Sequence, residues 1–361
     1  MAGELEVALG NRAYKIHCGP ELLQNVGSIL KPLNLASTCL VISNSTVADL
    51  YWPHLEKSLI TSGFKTELVL VPDSEDAKSL KVASELYDAA LKAGIDRKSA
   101  IIALGGGVVG DLTGFVAATW LRGVPFIQIP TTLLAQVDAS VGGKVAVNHP
   151  EGKNLIGAFY QPRAVIADLS TLRTLPKREI RAGLAEVIKY GVIADAEFFA
   201  FLEENLKGAL AGQTEILEKI VLRCCAIKAD IVAKDEREDN LRAILNFGHS
   251  VGHAVETVTG YVTYRHGEAV AIGMAAAVRL AVKKEMFTEA EADRLVKLIK
   301  EANLPVDVPK FNREEFKAAL CHDKKVYNNK LHMILPTKLG KVEILPVIID
   351  EVMAVIQKET N

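Results

Sequence analysis

Histidines in the second half of the chain are spaced as metal ligands commonly are. In Asn246-Phe-Gly-His249-Ser-Val-Gly-His253 two imidazoles stand four residues apart, and His266-Gly-Glu268 supplies a third. The glutamate of the HExxH motif is missing, so we do not expect a zincin peptidase. These histidines are the first candidates for a functional site.

Further polar side chains accompany the histidines. We predict one helix over residues 241–259, rich in apolar residues. Four polar residues at i, i+4, i+7 and i+11 would then share one face of this helix: Arg242, Asn246, His249 and His253. A lone histidine on such a helix is more often a core residue with its hydrogen bonds satisfied, whereas the complete stripe favours a site.

A carboxylate and a lysine interrupt another apolar helical stretch, Ala185-Glu186-Val-Ile-Lys189-Tyr190. Glu186 and Lys189 share a helix face at i, i+3, so a structural salt bridge is one interpretation. The other is that Glu186 completes a set of two histidines and one glutamate. Three protein ligands leave a fourth position for substrate or water, as in catalytic zinc sites.

A glycine-rich turn, Gly105-Gly-Gly-Val-Val-Gly-Asp111, directly follows a predicted strand. We predict a helix that begins at Val108. Glycines let the backbone approach an anion, and the positive end of a helix dipole favours phosphate. A tight strand-to-helix turn is the simpler interpretation, but three consecutive glycines favour a pyrophosphate site. The spacing is not that of the GxGxxG fingerprint.

Two other polar segments could contribute to binding. The run Asp73-Ser-Glu-Asp-Ala-Lys78 follows a predicted strand and could hold the ribose of a cofactor, although alone it would be interpreted as a solvated turn. Residues 122–157 form a glycine-rich, cation-bearing segment that we expect to be mostly loop. Several cations beside a metal suit a polyanionic substrate.

The elements that must position these residues fall into two groups. Short apolar strands alternate with helices up to residue 175, which predicts a mostly parallel sheet covered on both faces and a ligand site at the carboxyl ends of its strands. The predicted strands are residues 38–43, 66–71, 99–104, 125–130 and 164–168, preceded by a β-hairpin over residues 4–18. Beyond residue 176 the patterns are mainly helical, with one extended pair at residues 331–335 and 341–345. We therefore expect an α/β domain, residues 1–175, and a mainly α-helical domain, residues 176–361.

Composition excludes several classes of protein. Among 361 residues, 42 Lys and Arg against 44 Asp and Glu give a net charge of −2, which provides no basic face for nucleic acid. The five cysteines form no CxxC pair, so we expect neither a disulfide framework nor a cysteine zinc site. The sequence has no signal-peptide pattern and no apolar run of about 20 residues, so we expect a cytoplasmic protein that does not span a membrane.

Taken together, these segments resemble the 3-dehydroquinate synthase family of sugar-phosphate cyclases, over nearly the whole chain. The resemblance rests on GGGVVGDLTGFVAATWLRG, PTTLLAQVDASVGGKVAVNHPEGKNLIGAFYQP, LAEVIKYG, ILNFGHSVGHAVE and HGEAVAIGM. It implies a Rossmann-like NAD-binding domain followed by a helical domain, one divalent metal (zinc or cobalt) and a homodimer. It also implies conversion of 3-deoxy-D-arabino-heptulosonate 7-phosphate to 3-dehydroquinate by transient oxidation, β-elimination of phosphate, reduction and aldol closure, in the shikimate pathway.

The resemblance also implies roles for individual residues of this chain. Metal ligands are expected at Glu186, His249 and His266. Catalytic roles are expected at Asp138, Lys144, Lys189, Asn246 and His253. Substrate contacts are expected at Arg122, Lys144, Lys153, Asn154, Lys228, Arg242, Asn246, His253 and Lys325, with Lys324 as the alternative to Lys325. NAD contacts are expected at Asn44, Asp73, Ser74, Glu75, Asp76, Ala77, Lys78, Gly107, Val108, Val109, Gly110, Asp111, Thr131, Thr132, Lys144, Lys153, Thr171, Leu172, Arg173 and Thr174.

Three alternative functions remain at this point. A glycerol-dehydrogenase-like enzyme would share the two-domain plan and the glycine loop, although such enzymes typically carry a lysine soon after the aspartate where this chain has Asp111-Leu-Thr-Gly. A sister cyclase would make a different carbocycle from a related sugar phosphate. A non-catalytic nucleotide sensor would keep the glycine loop but would not need three metal ligands and the substrate cations.

Overall fold

A computed structural model describes residues 3–238, 240–321, 326–327 and 330–356. The chain forms two compact units. Unit 1 comprises Met1–Leu175 and Thr214–Arg237, and unit 2 comprises Pro176–Gln213 and Glu238–Asn361. The division at residue 175 coincides with the predicted one, but the chain returns to unit 1 for residues 214–237, which the sequence-based division places in the helical domain.

Up to residue 175, strands alternate with helices. The elements are β1 (Gly3–Val7), β2 (Tyr14–Gly19), α1 (Val26–Leu30), β3 (Thr38–Asn44), α2 (Ser45–Thr61), β4 (Lys65–Val71), α3 (Leu80–Lys92), β5 (Ala100–Gly105), α4 (Gly107–Thr119), β6 (Phe126–Pro130), β7 (Lys144–His149), β8 (Gly152–Phe159) and β9 (Ala164–Asp168). Each predicted strand is present, with bounds that differ by no more than one residue.

The large sheet of unit 1 has the strand order β1-β2-β9-β6-β5-β3-β4. Only the hairpin pair β1–β2 is antiparallel among its described pairings. Alternate residues of β3 face opposite sides, because Leu40 and Ile42 belong to one apolar cluster and Cys39 and Val41 to the other. The expectation of a mostly parallel sheet covered on both faces is therefore confirmed.

Residues 122–157 contain more regular structure than their glycines suggest. β7 and β8 form an antiparallel pair, and residues 135–139 form one turn of π-helix. The expectation of a mostly loop segment is wrong here. Gly114 explains the packing of this hairpin, since a Cβ at that position would lie 2.3 Å from Cγ1 of Val145. The missing side chain lets α4 approach β7 closely.

Beyond residue 175 the elements are mainly helical. They are α5 (Lys177–Ala194), α6 (Ala196–Leu210), α7 (Thr214–Lys234), α8 (His249–Val258), α9 (His266–Lys283), α10 (Glu289–Glu301), α11 (Arg313–Cys321), β10 (Val326–Tyr327), β11 (Lys330–Lys338), β12 (Lys341–Val347) and α12 (Ile349–Ile356). β11 and β12 pair antiparallel, which confirms the predicted extended pair. In the described segments, no helix combines the length and the apolar character needed to cross a membrane.

α7 belongs to unit 1 because its apolar face covers the β1–β2 hairpin. Its buried side chains include Ile220, Val221, Cys224 and Cys225. Gly3 lies against this helix, since a Cβ there would be 2.5 Å from Cδ1 of Leu222. Helical periodicity predicts that such a face is buried, but it does not say against which element.

The predicted helix over residues 241–259 is broken in the structure. Leu241–Asn246 is a 3-10 helix, and α8 begins only at His249. Gly248 separates the two segments with φ of 82°, a left-handed conformation that favours glycine. The single polar face that we predicted is therefore wrong, because Arg242 and Asn246 precede this break and both histidines follow it.

Glycines also set the distance between α8 and α9. A Cβ at Gly273 would lie 1.8 Å from the carbonyl oxygen of Gly248, and a Cβ at Gly252 would lie 3.1 Å from that of Ala269. The two helices thus pack backbone against backbone at these points. This contact places the first residues of α8 and α9, His249 and His266, in the same region of unit 2.

We expect Gly273→Ala to destabilise the protein although alanine is the better helix former. The propensity gain is about 1 kcal/mol, whereas a Cβ against the Gly248 carbonyl forces the helices apart at a cost of about 3 kcal/mol. Chemical denaturation measures the net loss. Gly94→Ala is the control, because its φ of +67° is strained but nothing lies within 4 Å of the added Cβ. A Gly273→Ala protein as stable as wild type would contradict the packing argument.

Candidate active site

The residues predicted to bind NAD gather where the parallel strands of unit 1 end. In the strand registers Asn44 lies opposite Val71, and Gly105 lies opposite Pro130. The chain runs from β3 to β4 on one side and then to β5 on the other, so the strand order reverses between β3 and β5. Asn44 and the glycine turn after β5 flank this point, where α/β sheets bind their ligands.

The glycine turn is built for close approach of backbone. Gly106 is the N-cap residue of α4, which begins at Gly107 rather than at Val108 as predicted. A Cβ at Gly105 would lie 2.8 Å from the Val109 side chain, and one at Gly106 would lie 3.2 Å from Cγ2 of Thr132. The first backbone N–H groups of α4 therefore lie beside Thr132, in an arrangement suited to phosphate.

A buried lysine connects three of the predicted segments. Lys78 is only 5% exposed, and its ammonium donates to Oδ2 of Asp111 at 2.6 Å and to Oδ1 of Asn154. Burial raises the pKa of Asp111 above its ordinary value, and the charge of Lys78 opposes that rise. Lys78 thereby connects α4 to strand β8.

Other predicted contacts surround this lysine. Glu75 accepts a hydrogen bond from Nδ2 of Asn148 at 2.8 Å and lies 3.9 Å from the ammonium of Lys153. Asn44 donates to Asp73 at 2.6 Å and accepts from the N–H of Val47, so that it caps α2. The run of residues 73–78 is thus tied to β3, β7 and β8, and is more than a solvated turn.

The π-helical turn carries Asp138. Lys228 of α7 is 6% exposed and donates to both the carboxylate and the carbonyl oxygen of Asp138, at 2.9 and 2.6 Å. π-helical turns occur frequently at functional sites. The placement of α7 in unit 1 is therefore what brings Lys228 to Asp138.

Gln136, on the same turn, is completely buried and was not predicted as a site residue. Its amide Nε2 donates to the carbonyl oxygens of Pro130 and Asp168, both at 3.1 Å, and to Oγ1 of Thr171 at 3.2 Å. It links the ends of β6 and β9 to residues 171–174, which Tyr51 also contacts through Thr171 and Thr174. A lone glutamine in the apolar run LLAQVDA was the available signal for it.

In unit 2, one buried carboxylate faces two imidazoles. Glu186 on α5 is 1% exposed, and its Oε1 lies 3.7 Å from Nε2 of His249 and 3.6 Å from Nε2 of His266. Neither carboxylate oxygen makes a hydrogen bond with the described residues, although Lys189 forms an ion pair with Oε2. A glutamate and two imidazoles within 4.8 Å of one another can hold a metal ion.

In His249 and His266, Nε2 faces Glu186 and Nδ1 lies close to a second oxygen. Nδ1 of His249 lies 3.2 Å from the carbonyl oxygen of Phe247, and Nδ1 of His266 lies 3.3 Å from Oε1 of Glu256. A histidine that binds a metal through one ring nitrogen characteristically donates the N–H of the other to a carbonyl or a carboxylate. The two interpretations of Glu186 from the sequence are therefore compatible: it forms a salt bridge with Lys189, and it belongs to a potential ligand set with the two histidines.

Comparison with known proteins agrees with this arrangement. Residues 68–182 match the model of the 3-dehydroquinate synthase N-terminal domain, and residues 183–326 match that of the C-terminal domain. A 3-dehydroquinate synthase of Desulforamulus reducens is 52% identical over 343 residues, which cover 95% of this chain and 96% of that protein. The chain belongs to the 3-dehydroquinate synthase family.

Solved structures of sister enzymes share the fold of this family member at lower identity. A 2-deoxy-scyllo-inosose synthase complexed with carbaglucose-6-phosphate, NAD+ and Co2+ is 28% identical, with a TM-score of 0.91 and coverage of 99% and 100% of the two chains. The 2-epi-5-epi-valiolone synthase of Streptomyces hygroscopicus subsp. jinggangensis, with NAD+ and Zn2+ bound, is 31% identical, with a TM-score of 0.87 and 95% coverage of each chain. The fold of an α/β domain followed by a helical domain is thereby confirmed.

Of the remaining residues expected from the family resemblance, His253 lies beside the paired histidines, with its ring centroid 5.4 Å from that of His249 and 6.1 Å from that of His266. Arg242 is buried in the 3-10 helix that packs against α5, and Asn246 donates to Glu238 at 2.7 Å. His253 is exposed and lies with Glu256 and His266 in a second potential ligand group, not with Glu186. Lys144 and Arg122 are exposed. Lys324 and Lys325 lie outside the described residues.

Glu256 is the second residue of the site that was not predicted. It lies seven residues after His249, two helical turns along α8, and is buried on the same face. An acidic residue on the histidine face of a helix is a signal that the sequence does contain.

We expect the buried Lys78 and its partly buried partner Asp111 to couple strongly in a double-mutant cycle of Lys78→Met and Asp111→Asn. Removing one partner leaves a poorly solvated charge, which lowers the free energy of unfolding by about 3 kcal/mol. Removing both partners leaves no such charge, so the double variant should lose less stability than the sum of the single variants. Chemical denaturation of the four proteins measures the coupling. The exposed pair Lys15–Glu4, 2.9 Å apart, is the matched control and should couple weakly. Additive effects at Lys78 and Asp111 would contradict this assignment.

Proposed function

We propose that this chain converts 3-deoxy-D-arabino-heptulosonate 7-phosphate to 3-dehydroquinate and phosphate with the help of NAD and one divalent metal, zinc or cobalt. As a member of its family it is a phosphate-eliminating lyase of the shikimate pathway. The observation that carries the proposal is the buried Glu186 carboxylate facing two imidazole Nε2 atoms. A cyclase needs such a site, whereas a nucleotide sensor does not.

We assign the metal to Glu186, His249 and His266. Two neutral imidazoles and a carboxylate suit zinc and cobalt, and three protein ligands leave a position for substrate. Oε1 of Glu186 supports this assignment: Lys189 pairs with Oε2, whereas Oε1 makes no hydrogen bond with the described residues, which is costly for a buried charged oxygen unless a cation lies beside it.

We assign NAD to the strand ends of unit 1. The glycine turn would receive the pyrophosphate, because Gly106 caps α4 and the first N–H groups of this helix favour an anion. Asn44, the residues around Lys78 and the Thr171–Thr174 stretch would complete the site. The switch point between β3 and β5 and the N-terminus of α4 support this assignment.

When bound, the metal would acidify a substrate hydroxyl and NAD would accept and return a hydride. The chain's own residues would bind and orient the substrate. Cationic side chains neutralise a phosphorylated carboxylic acid, and we assign this role to Lys144, Lys153, Lys228 and Arg242. Asp138, Lys189, Asn246 and His253 would position hydroxyl groups and their protons. Positioning and electrostatics account for most of what such a protein contributes.

We expect the purified protein to release phosphate from the heptulosonate phosphate without net formation of NADH. NAD would be reduced and reoxidised within one turnover, so that absorbance at the NADH band stays constant. A coupled phosphate assay, run before and after removal of the metal by a chelator, measures the reaction, and activity should return when zinc or cobalt is added. Steady accumulation of NADH would favour the glycerol-dehydrogenase-like alternative, and release of phosphate only from another sugar phosphate would favour a sister cyclase.

We further propose that the enzyme acts as a homodimer in which Arg122 binds the substrate phosphate of the neighbouring subunit. Arg122 is exposed and follows Leu121, and both have positive φ angles, of 66° and 49°. Such backbone conformations are unfavourable for residues other than glycine and often mark functional positions. An arginine binds phosphate through two parallel hydrogen bonds, so a shared arginine would make each site depend on assembly.

Mixing two inactive variants tests the shared site. Under conditions that exchange subunits, Arg122→Ala and His249→Ala should together regain part of the activity. If Arg122 acts across the dimer, one site of each heterodimer carries both changes and the other carries neither. If Arg122 acts within its own chain, every site keeps one change. Inactivity of the mixture, with exchange shown independently by mass spectrometry, would contradict the proposal.

A further inference from the structure

We infer that Glu256 is a positioning residue for the metal site: its carboxylate holds the imidazole of His266 in the orientation and tautomer that metal binding requires. This inference rests on the proposed metal site. Glu256 is not one of the three ligands assigned there. Its effect would be exerted through His266.

The contact with Glu256 favours one tautomer of His266. Oε1 of Glu256 lies 3.3 Å from Nδ1 of His266. An ionised carboxylate can only accept a hydrogen bond, so Nδ1 must carry the proton. The lone pair of the neutral ring then lies on Nε2, the nitrogen that is 3.6 Å from Glu186.

The other histidine shows the same arrangement with a different acceptor. The carbonyl oxygen of Phe247 lies 3.2 Å from Nδ1 of His249, whose Nε2 is 3.7 Å from the same oxygen of Glu186. His249 takes its acceptor from the backbone just before its own helix. His266 follows Arg265 at the start of α9 and takes its acceptor from a side chain of α8.

The packing of α8 on α9 makes this contact possible. Gly252 lies against Ala269 at the contact between the helices, and Glu256 lies one turn further along α8. Glu256 is 9% exposed, so water competes little for its carboxylate. Because Lys189 offsets the charge of Glu186, a second carboxylate also lowers the cost of bringing a divalent cation to this cluster.

An alternative role for Glu256 is direct coordination, since Glu256, His253 and His266 form the second potential ligand group. The two roles predict different visible absorption spectra for the cobalt form of the protein. Loss of a positioning residue weakens binding while the ligands stay the same. Loss of a ligand changes the coordination of the bound ion.

The test is metal binding by the full-length chain after removal of metal with a chelator. Zinc affinity is measured by competition with a chromophoric chelator, and coordination by the visible absorption of the cobalt form. Wild type should bind one ion per chain, and Glu186→Gln should bind it far more weakly. Glu256→Ala should lose about 10–100-fold in zinc affinity while keeping the wild-type shape of the cobalt spectrum.

Three further variants separate positioning from stability and from charge. Glu256→Gln keeps an acceptor for the Nδ1–H and should recover part of the affinity. Glu256→Asp keeps the charge but shortens the side chain, so it should lose affinity and serves as the second test if Glu256→Ala does not fold. Glu268→Gln is the matched control: Glu268 lies in the first turn of α9, contacts Arg178 and the N–H of Arg265, and has no described contact with an imidazole. Its zinc affinity should stay at the wild-type value.

The outcomes are distinct. Wild-type zinc affinity in Glu256→Ala, or in Glu256→Asp if the alanine variant does not fold, would overturn the inference while leaving the proposed metal site intact. A cobalt spectrum that changes in the Glu256 variants would overturn it in favour of direct coordination. Failure of the wild-type chain to bind a stoichiometric ion would instead overturn the metal site itself.

Discussion

The buried carboxylate of Glu186 is the constraint on which the candidate metal site depends. A charge with 1% exposure loses nearly all of its hydration, a penalty that persists unless other charges or dipoles replace the water. Lys189 replaces it at one oxygen, and the other faces two imidazole nitrogens instead of a hydrogen-bond donor with good geometry. The arrangement is costly for a fold alone, and it suits a site where a cation binds.

The two histidines lie together because α8 and α9 approach each other unusually closely. Gly248 and Gly273 allow backbone contact between the start of α8 and the middle of α9. Larger residues would keep these helices at the usual interaxial distance of about 8–10 Å. The same approach brings Glu256 to His266, so one helix contact accounts for both the pairing of the histidines and the Glu256–His266 contact.

In unit 1, the parallel sheet brings together residues that are distant in sequence. Parallel strands end at one edge, and the residues that follow each strand are therefore neighbours however far apart they lie in sequence. Lys78, Gln136 and Lys228 connect these loops through buried polar contacts. Buried polar contacts of this kind hold the loops in place relative to one another.

The sequence by itself determined the type of almost every element, the glycine turn, the strand ends and, through long motif runs, the family. Periodicity and turn chemistry act over a few residues, so they can be seen in a linear pattern. Only the tertiary structure decided that α7 packs in unit 1, that Gly248 divides a segment that looks like one helix, and that Gln136 and Glu256 reach the ends of other elements. Those outcomes depend on which buried faces pack together and how closely, and this is a property of residues distant in sequence that local patterns do not encode.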